Sequence, residues 1–156
     1  MKKDTFAFSF IEYNNDEVPA LWHNLIEKAK MSLGGSNSDF SHFKVGAAVL
    51  LENGVVVCGA NQENVSFPCS TCAERSALNY ARSNYPNVNV TAIAIVAARG
   101  DEIEDSISPC GLCRQSIVDV ENRQQSFINV LLVGKFATRI IDSAGFLLPL
   151  AFDAEI

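Results

Sequence analysis

The sequence predicts an α/β fold in which helices cover both faces of one mixed, mostly five-stranded sheet. Apolar residues make up 48% of the 156 residues and charged residues 19%, which is typical of an ordinary globular core. Strand-type and helix-type periodicities alternate in the order β-β-α-β-α-β, which favours one sheet with helices on its faces. No composition shift marks a linker, so we expect residues 1–156 to form a single domain.

The N-terminal part contains a strand-like segment and a helix. Apolar residues alternate over 5–11 until Glu12 interrupts the pattern. We therefore expect residues 1–16 to form an N-terminal extension with strand character. Apolar residues then recur at helical spacing from 18 to 29, and Gly34-Gly35 can end this helix.

A hairpin is predicted next. The apolar runs 45–51 and 55–60 flank Asn53-Gly54, and Asn-Gly between two such runs is a strong hairpin signal. Cys58 lies within the second run, where a buried strand position is expected. The remaining predicted elements are helices from 72 to 83 and from 110 to 121, strands at 91–98, 128–133 and 138–141, and a short terminal helix.

Charge and hydropathy restrict the class of partner. The formal net charge is −6, and no basic run is longer than Lys2-Lys3, which argues against nucleic acid because phosphate contacts need clustered Lys and Arg. No stretch approaches the roughly 18 apolar residues that a membrane span needs, so no membrane partner is expected. The alternating pattern after Lys3 does not resemble a signal peptide core, and a cytoplasmic location is expected. The five cysteines should then not form a disulfide framework.

Two short clusters carry the chemistry: Cys72-Ala73-Glu74-Arg75 and Pro109-Cys110-Gly111-Leu112-Cys113-Arg114-Gln115. Both open predicted helices, and the i, i+3 spacing of Cys110 and Cys113 puts their sulfurs on one face of a first turn. Cys72 can supply a third ligand if the two helix starts converge. Three thiolates suit Zn²⁺ and leave a fourth position for water, so one zinc ion per chain is predicted. Helix N-termini also favour thiolates electrostatically.

Two interpretations of Glu74 are open at this point. The pattern Thr71-x-x-Glu74 is a capping box, in which the glutamate only caps its own helix. Two residues from a zinc ligand, however, the carboxylate can accept a proton from metal-bound water. The second cysteine cluster favours the catalytic interpretation. Arg75 and Arg114 each follow a cluster residue and can offset the excess negative charge of three thiolates.

Two other classes of protein could also account for the cysteines. A structural zinc module needs a closed site, which Cys69, Cys72, Cys110 and Cys113 together can provide. A dithiol redox protein would use the two C-x-x-C pairs without a tightly bound metal. Cys-Ala-Glu at one helix start, followed by Pro-Cys-x-x-Cys at another, is much more specific than either pair alone, and it matches the signature of zinc deaminases.

The sequence resembles the small cytidine deaminases that are usually homotetramers. The resemblance extends over about half of the chain, from Ser41 to Gln115. It rests on four ordered blocks: Ser41-His42-Phe43-Lys44-Val45-Gly46-Ala47-Ala48, Asn61-Gln62-Glu63-Asn64, Cys72-Ala73-Glu74-Arg75 and Ser108-Pro109-Cys110-Gly111-Leu112-Cys113-Arg114-Gln115. It implies a three-layer α/β/α cytidine-deaminase-like fold and a homo-oligomer, a tetramer in the family. It also implies deamination of cytidine or deoxycytidine in pyrimidine salvage.

The resemblance implies further roles for individual residues. Asn61 and Glu63 are similar to the family's pair that hydrogen-bonds the ribose hydroxyls, and Phe43 to the aromatic residue that packs on the pyrimidine. Phe152 is similar to a C-terminal phenylalanine that closes a neighbouring subunit's site. Without the resemblance, solvation would explain Asn61 and Glu63, and core packing would explain Phe43.

The chain departs from the family pattern at three places. Asp39-Phe40 stands where Pro-Tyr is often found, Phe67 replaces a frequent tyrosine, and Cys69 adds an unexpected thiol that we expect not to bind the metal. A nucleotide- or RNA-acting deaminase is opposed by the acidic charge and by Glu63 near the sugar. The intact block around Asn61 favours an ordinary nucleoside over a cytosine-containing antibiotic.

Overall fold

The structure is a computed structural model that describes residues 1–153; the last three residues of the expected domain lie outside that range. Its strands are Ile11–Asn14 (β1), Phe43–Leu51 (β2), Val56–Ala60 (β3), Val90–Arg99 (β4), Glu102–Ile103 (β5), Asn129–Val133 (β6) and Ala137–Ile141 (β7). Its α-helices are His23–Ser32 (α1), Ala73–Asn84 (α2) and Gly111–Gln124 (α3). The predicted terminal helix is one 3-10 turn, Ala144–Leu147.

The strands form one mixed sheet in the order β1-β7-β6-β4-β2-β3, with β5 paired to the end of β4. β4 runs parallel to β6 and antiparallel to β2, so α3 forms the crossover between β4 and β6. The predicted hairpin is confirmed as β2 and β3, which pair antiparallel. Gly54 in its turn has φ +83°, a conformation that glycine adopts without steric cost.

The two faces of β4 are buried under different helices, which explains its nearly continuous apolar sequence. Ile93 and Ile95 belong to the core cluster that includes residues of α2 and α3. Ala92 and Ala94 belong to a second cluster with residues of α1, such as Ala29. The predicted three-layer α/β/α arrangement is therefore confirmed.

The sheet has seven strands, whereas about five were expected. The strand predicted over 5–11 is wrong in its bounds, because β1 begins only at Ile11 and continues through Glu12. Backbone partners explain the shift: β7 pairs with 11–14, while the side chains of Phe6, Phe8 and Phe10 remain about half exposed. The second extra strand, β5, is a two-residue pairing too short for any periodicity to indicate.

The prediction that Cys58 is buried is also wrong, since its side chain is exposed. β3 is an edge strand, paired only with β2, so a residue on it lacks a neighbouring strand on one side. The thiol lies 3.8 Å from the backbone oxygen of Lys28. Within residues 1–153, no helix is both long enough and apolar enough to cross a membrane.

Candidate metal centre

The two cysteine clusters lie at helix starts, as predicted. Cys72 and Cys110 are the N-cap residues of α2 and α3, both with extended backbone conformations. Each carbonyl accepts the first intrahelical bond, from Ser76 N at 3.0 Å and from Arg114 N at 2.9 Å. Cys113 follows in the first turn of α3 and is buried. The thiols therefore lie at the positive ends of two helix dipoles.

A glycine lets the first turn of α2 approach the sheet closely. A Cβ atom added to Gly59 in β3 would lie 2.5 Å from the backbone nitrogen of Ala77 and 2.7 Å from the backbone oxygen of Ala73. Both contacts are with rigid helix backbone, so any larger residue would push α2 away from β3. The position of Cys72, one residue before Ala73, therefore depends on Gly59.

The three predicted metal-ligating sulfurs come together. The Sγ atoms of Cys72, Cys110 and Cys113 all lie within 4.8 Å of one another, and those of Cys72 and Cys110 are 3.8 Å apart. Three sulfurs at this spacing can share one ion, and three thiolates are a ligand set that zinc prefers. Cys69 is not part of the group: its thiol lies 3.6 Å from Ser66 Oγ. This arrangement does not form the closed four-cysteine site.

The sulfurs influence one another's protonation. A hydrogen bond from the Cys113 thiol is the main cause that lowers the pKa of Cys72 to about 6, against the opposing effect of burial. Cys110 and the positive charge of Arg75 act in the same direction. The pKa of Cys113 is raised, first because its proton is donated to Cys72 and then because it is buried. One thiolate therefore forms readily even without an ion, which favours metal capture because thiolates are the ligating species.

Glu74 lies in the first turn of α2 with only 3% of its surface exposed. Burial raises the pKa of its carboxyl group, and the charge of Cys72 acts in the same direction. The capping-box interpretation is wrong: Cys72, not Thr71, is the N-cap, and its side chain makes no capping hydrogen bond. Glu74 is thus at the second helical position rather than the third that a capping box requires.

A short backbone ladder connects the predicted ribose-binding residues to the metal centre. Gln62 exchanges two backbone hydrogen bonds with Thr71, which immediately precedes Cys72, at 2.8 and 2.9 Å. On the other side, Asn37 N donates to Asn61 O and Glu63 N donates to Asn37 O. The segment 61–63 is therefore held firmly beside the first cysteine.

The side chain of Asn61 is largely engaged with the protein. Its Oδ1 accepts from Ser36 Oγ at 2.6 Å and from Val45 N at 2.8 Å, and its Nδ2 donates to Phe43 O at 3.0 Å. A primary amide has two N–H donors, so a second one is left for a ligand. These contacts also fix the backbone of Phe43, whose side chain is half-buried.

The exposed carboxylate of Glu63 accepts from the backbone N–H groups of Phe40 at 2.8 Å and Ser41 at 3.2 Å. A hydrogen bond from the Ser41 side chain is the main cause that lowers the Glu63 pKa, and the two backbone N–H groups add to it. Phe40 and Phe67, both departures from the family pattern, form an edge-to-face pair with ring centroids 5.7 Å apart. The side chains at the two departures are therefore in direct contact.

Residues after Cys113 connect the metal centre to the C-terminal tail. Arg114 donates to the carbonyl oxygens of Pro109 and Leu147 at 2.8 and 3.0 Å, a structural use that differs from the predicted charge offset. Gln115 donates to Phe152 O at 2.8 Å and accepts from Phe152 N at 3.1 Å. This two-point contact leaves the ring of Phe152 exposed. Sequence reasoning missed Gln115, because its partner is 37 residues away.

Three thiols at two helix starts, with a buried carboxylate in the first turn of one helix, define a zinc-dependent deaminase. Comparison with known proteins gives the family. The chain belongs to the cytidine and deoxycytidylate deaminases, since residues 22–128 match the model of their zinc-binding region.

Individual relatives agree with this family. The chain is 41% identical to a cytidine deaminase of Halalkalibacterium halodurans over 62% of this chain and 69% of the relative. It is 34% identical to a cytidine deaminase of Sporosarcina psychrophila over 84% of this chain and 90% of the relative. The crystal structure of cytidine deaminase from Burkholderia pseudomallei is similar with a TM-score of 0.72 and 37% identity, covering 83% of this chain and 98% of that one.

Proposed function

We propose that this chain catalyses the hydrolytic deamination of cytidine or deoxycytidine, which yields uridine or deoxyuridine and ammonia. The observation that carries this proposal is the convergence of three sulfurs within 4.8 Å at two helix starts, with buried Glu74 two residues after one of them. Cys72, Cys110 and Cys113 would hold one zinc ion. Bound zinc supplies Lewis acidity, which lowers the pKa of a coordinated water to near neutrality.

Glu74 is the proposed proton carrier. Because burial raises its pKa, the carboxyl group can hold a proton closer to neutral pH than an exposed glutamate can. It takes one proton from the attacking water and delivers it to N3 of the pyrimidine. It then takes the proton of the hydroxyl group formed on C4 and transfers it to the departing amine. A group that must both accept and donate works best with a pKa near the working pH. Arg75, whose charge lowers the pKa of Cys72, would stabilise the thiolate ligand set.

Phe43, Asn61 and Glu63 are the proposed nucleoside-binding residues. The remaining N–H of Asn61 can donate to a ribose hydroxyl, and the lowered pKa of Glu63 keeps its carboxylate ionised and ready to accept from one. A fixed negative charge beside the sugar would repel a 5′-phosphate, which supports a nucleoside rather than a nucleotide substrate. The ring of Phe43 is half-buried at the start of β2, next to these groups, and is proposed to pack on the base.

The enzyme is further proposed to act as a homotetramer, in the cytoplasm and in pyrimidine salvage. All five cysteines are free, which suits a reducing compartment. The exposed ring of Phe152, held by its backbone to Gln115, suits insertion into a neighbouring subunit. Other large exposed apolar side chains, such as Leu150 two residues before it and Leu112 in the first turn of α3, suit burial in an assembly.

A direct assay tests the proposed reaction. Purified protein should decrease the ultraviolet absorbance of cytidine and release one ammonia per uridine formed, with close to one zinc per chain by elemental analysis. Prolonged treatment with a strong chelator should abolish turnover, and added zinc should restore it. Deoxycytidine, cytidine 5′-monophosphate and a cytosine-containing antibiotic run in parallel would rank the substrate classes. Zinc-loaded protein that leaves cytidine and deoxycytidine unchanged would refute the proposal.

A further inference from the structure

We infer that Arg99 is a positioning residue that fixes the ring of Phe43 for contact with the pyrimidine, with Glu104 holding Arg99 in place. The inference rests on the proposed role of Phe43 and extends it. Arg99 is the only charged residue among the ten of β4, and it stands directly opposite Phe43 in the β2–β4 pairing. Its guanidinium carbon lies 5.0 Å from the centroid of the Phe43 ring.

The alternation of the strands puts this pair on the side of the sheet that carries the metal centre. Along β2 and β4, the odd-numbered positions Val49 and Ile95 pack in the cluster that contains Ala73 and Ala77 of α2. Phe43 and Arg99 continue this odd-numbered face at the adjacent ends of the two strands. The guanidinium therefore covers one side of an aromatic ring that shares a sheet face with the helix following Cys72.

Arg99 is held by the hairpin that follows it. Gly100 has φ +57°, which allows the tight turn that returns the chain as β5 alongside Arg99. Glu104 is anchored through its backbone to Ala97 O at 2.9 Å, and its Oε1 accepts from Arg99 Nε at 2.8 Å. The Arg99 side chain, although 65% exposed, is thus oriented both by Glu104 and by its contact with the Phe43 ring.

The ring of Phe43 needs such a constraint. Its backbone oxygen is already bonded to Asn61 Nδ2, so rotation of the side chain is the freedom that remains. A cation above one ring face restricts that rotation and leaves the opposite face and the edge available to a base. Preorganising a binding group reduces the entropy that binding must remove, so the effect should fall on affinity rather than on the chemical step.

The chain contains a matched control far from the metal centre. Arg139 lies over the ring of Phe10 with its guanidinium carbon 5.5 Å from the centroid, and its Nε bonds Glu12 Oε2 at 2.6 Å. These three residues repeat the arginine, phenylalanine and glutamate of the proposed site. They lie at the strand pair β1–β7, at the edge of the sheet opposite to β3. Arg139→Met therefore removes an equivalent interaction without altering the proposed site.

The test is steady-state kinetics on the zinc-loaded enzyme with cytidine. Arg99→Met should raise KM about two- to fivefold, the equivalent of an exposed cation–π contact, with kcat changed by less than about twofold. Glu104→Gln should raise KM in the same direction, and Arg139→Met should leave KM unchanged. In a Phe43→Leu background, Arg99→Met should have no further effect, because its action passes through the ring.

Three results would overturn the inference. A KM for Arg99→Met equal to that of the parent enzyme would show that the ring needs no support, while leaving the proposed reaction intact. An equal loss from Arg99→Met with and without Phe43 would mean that the guanidinium contacts the substrate directly. If Phe43→Leu itself leaves KM unchanged in an active enzyme, the proposed role of Phe43 fails together with the inference.

Discussion

Glu74 and Glu121 are both buried carboxyl groups on helices that begin at the metal centre, yet their surroundings differ completely. Glu74 is 3% exposed and Glu121 is 6% exposed. The Glu121 carboxylate accepts four hydrogen bonds, from Ile128 N, Ser143 Oγ, Ala144 N and Gly145 N, at 2.6 to 3.0 Å. For Glu74, burial is the largest influence on the pKa; its own backbone N–H and the Cys113 thiol oppose it, while the charge of Cys72 acts in the same direction as burial.

Hydrogen-bond donors, rather than burial alone, therefore determine whether a buried carboxyl group is suited to a structural role or to proton transfer. Four donors make Glu121 a fixed connection between the end of α3, the start of β6 and the turn Ala144–Leu147. A buried carboxylate with this many partners stabilises the fold for as long as its hydrogen bonds are intact. Glu74 has two such donors, its own backbone N–H and the Cys113 thiol, and burial still raises the pKa of its carboxyl group, which suits the proposed proton transfer. Substitution of Glu74 should therefore affect turnover, and substitution of Glu121 should affect stability.

The largest effect is expected from removing a metal ligand. Cys110→Ser should lose most of the zinc and reduce deamination to background, because two remaining thiols cannot complete the site. Elemental analysis and the cytidine assay measure the two losses. Cys69→Ser is the matched control, since Cys69 lies outside the group of three sulfurs, and it should retain both zinc and activity. Zinc loss in Cys69→Ser equal to that in Cys110→Ser would instead indicate a closed four-cysteine site.

Glu74→Gln should lower kcat by roughly 10²–10⁴, the range typical of a positioned acid–base group, because the amide cannot carry the proton. The substitution conserves the volume of the side chain and leaves the groups around it in place. Zinc content and the midpoint of urea unfolding should therefore remain close to the parent values. Stopped or continuous absorbance assays on the zinc-loaded variant measure kcat. Undiminished turnover would assign Glu74 a purely structural role like that of Glu121.

Glu121→Gln should show the opposite pattern. The amide nitrogen would face two of the four donors, and the lost charged hydrogen bonds should reduce the free energy of unfolding by roughly 2–4 kcal/mol. Urea unfolding monitored by circular dichroism measures the change, with Glu74→Gln as the paired comparison. kcat per zinc-loaded molecule should stay within about twofold of the parent value, since Glu121 takes no part in the proposed chemistry. A large fall in kcat without loss of stability would overturn the contrast.

Sequence reasoning was most successful where structure is local. The i, i+3 spacing of Cys110 and Cys113 depends only on one helical turn, and the hairpin at Asn53-Gly54 depends only on turn chemistry. Cys72 can share an ion with this pair only if two helices distant in sequence converge. That convergence was predicted from the motif of Cys-Ala-Glu followed by Pro-Cys-x-x-Cys, and not from local geometry. Both the fold class and the sulfur cluster can therefore be predicted from the sequence alone.

The remainder depends on register and on position in the sheet. The exposure of Cys58 follows from the edge position of β3, and the pairing of Arg99 with Phe43 follows from a register that no periodicity encodes. The late start of β1 at Ile11 reflects where β7 offers a partner. Glu121 carries no local motif at all, because three of its four donors come from 143–145.

The smallest effect is expected from removing the one side-chain donor of Glu121. Ser143→Ala removes the 2.6 Å bond to Oε1 and the 3.2 Å bond that Ser143 Oγ accepts from Gly145 N, and it leaves the three backbone donors of Glu121. The free energy of unfolding should therefore fall by about 1–2 kcal/mol, less than in Glu121→Gln. Ser116→Ala is the control, because that hydroxyl bonds Leu112 O on the exposed face of the same helix and should matter by less than about 0.5 kcal/mol. In the double variant of Ser143→Ala and Glu121→Gln, the two losses should be less than additive, since both remove the same bond. Full additivity would show that Ser143 stabilises the turn independently, and Glu121 would then be a weaker connection than its four donors imply.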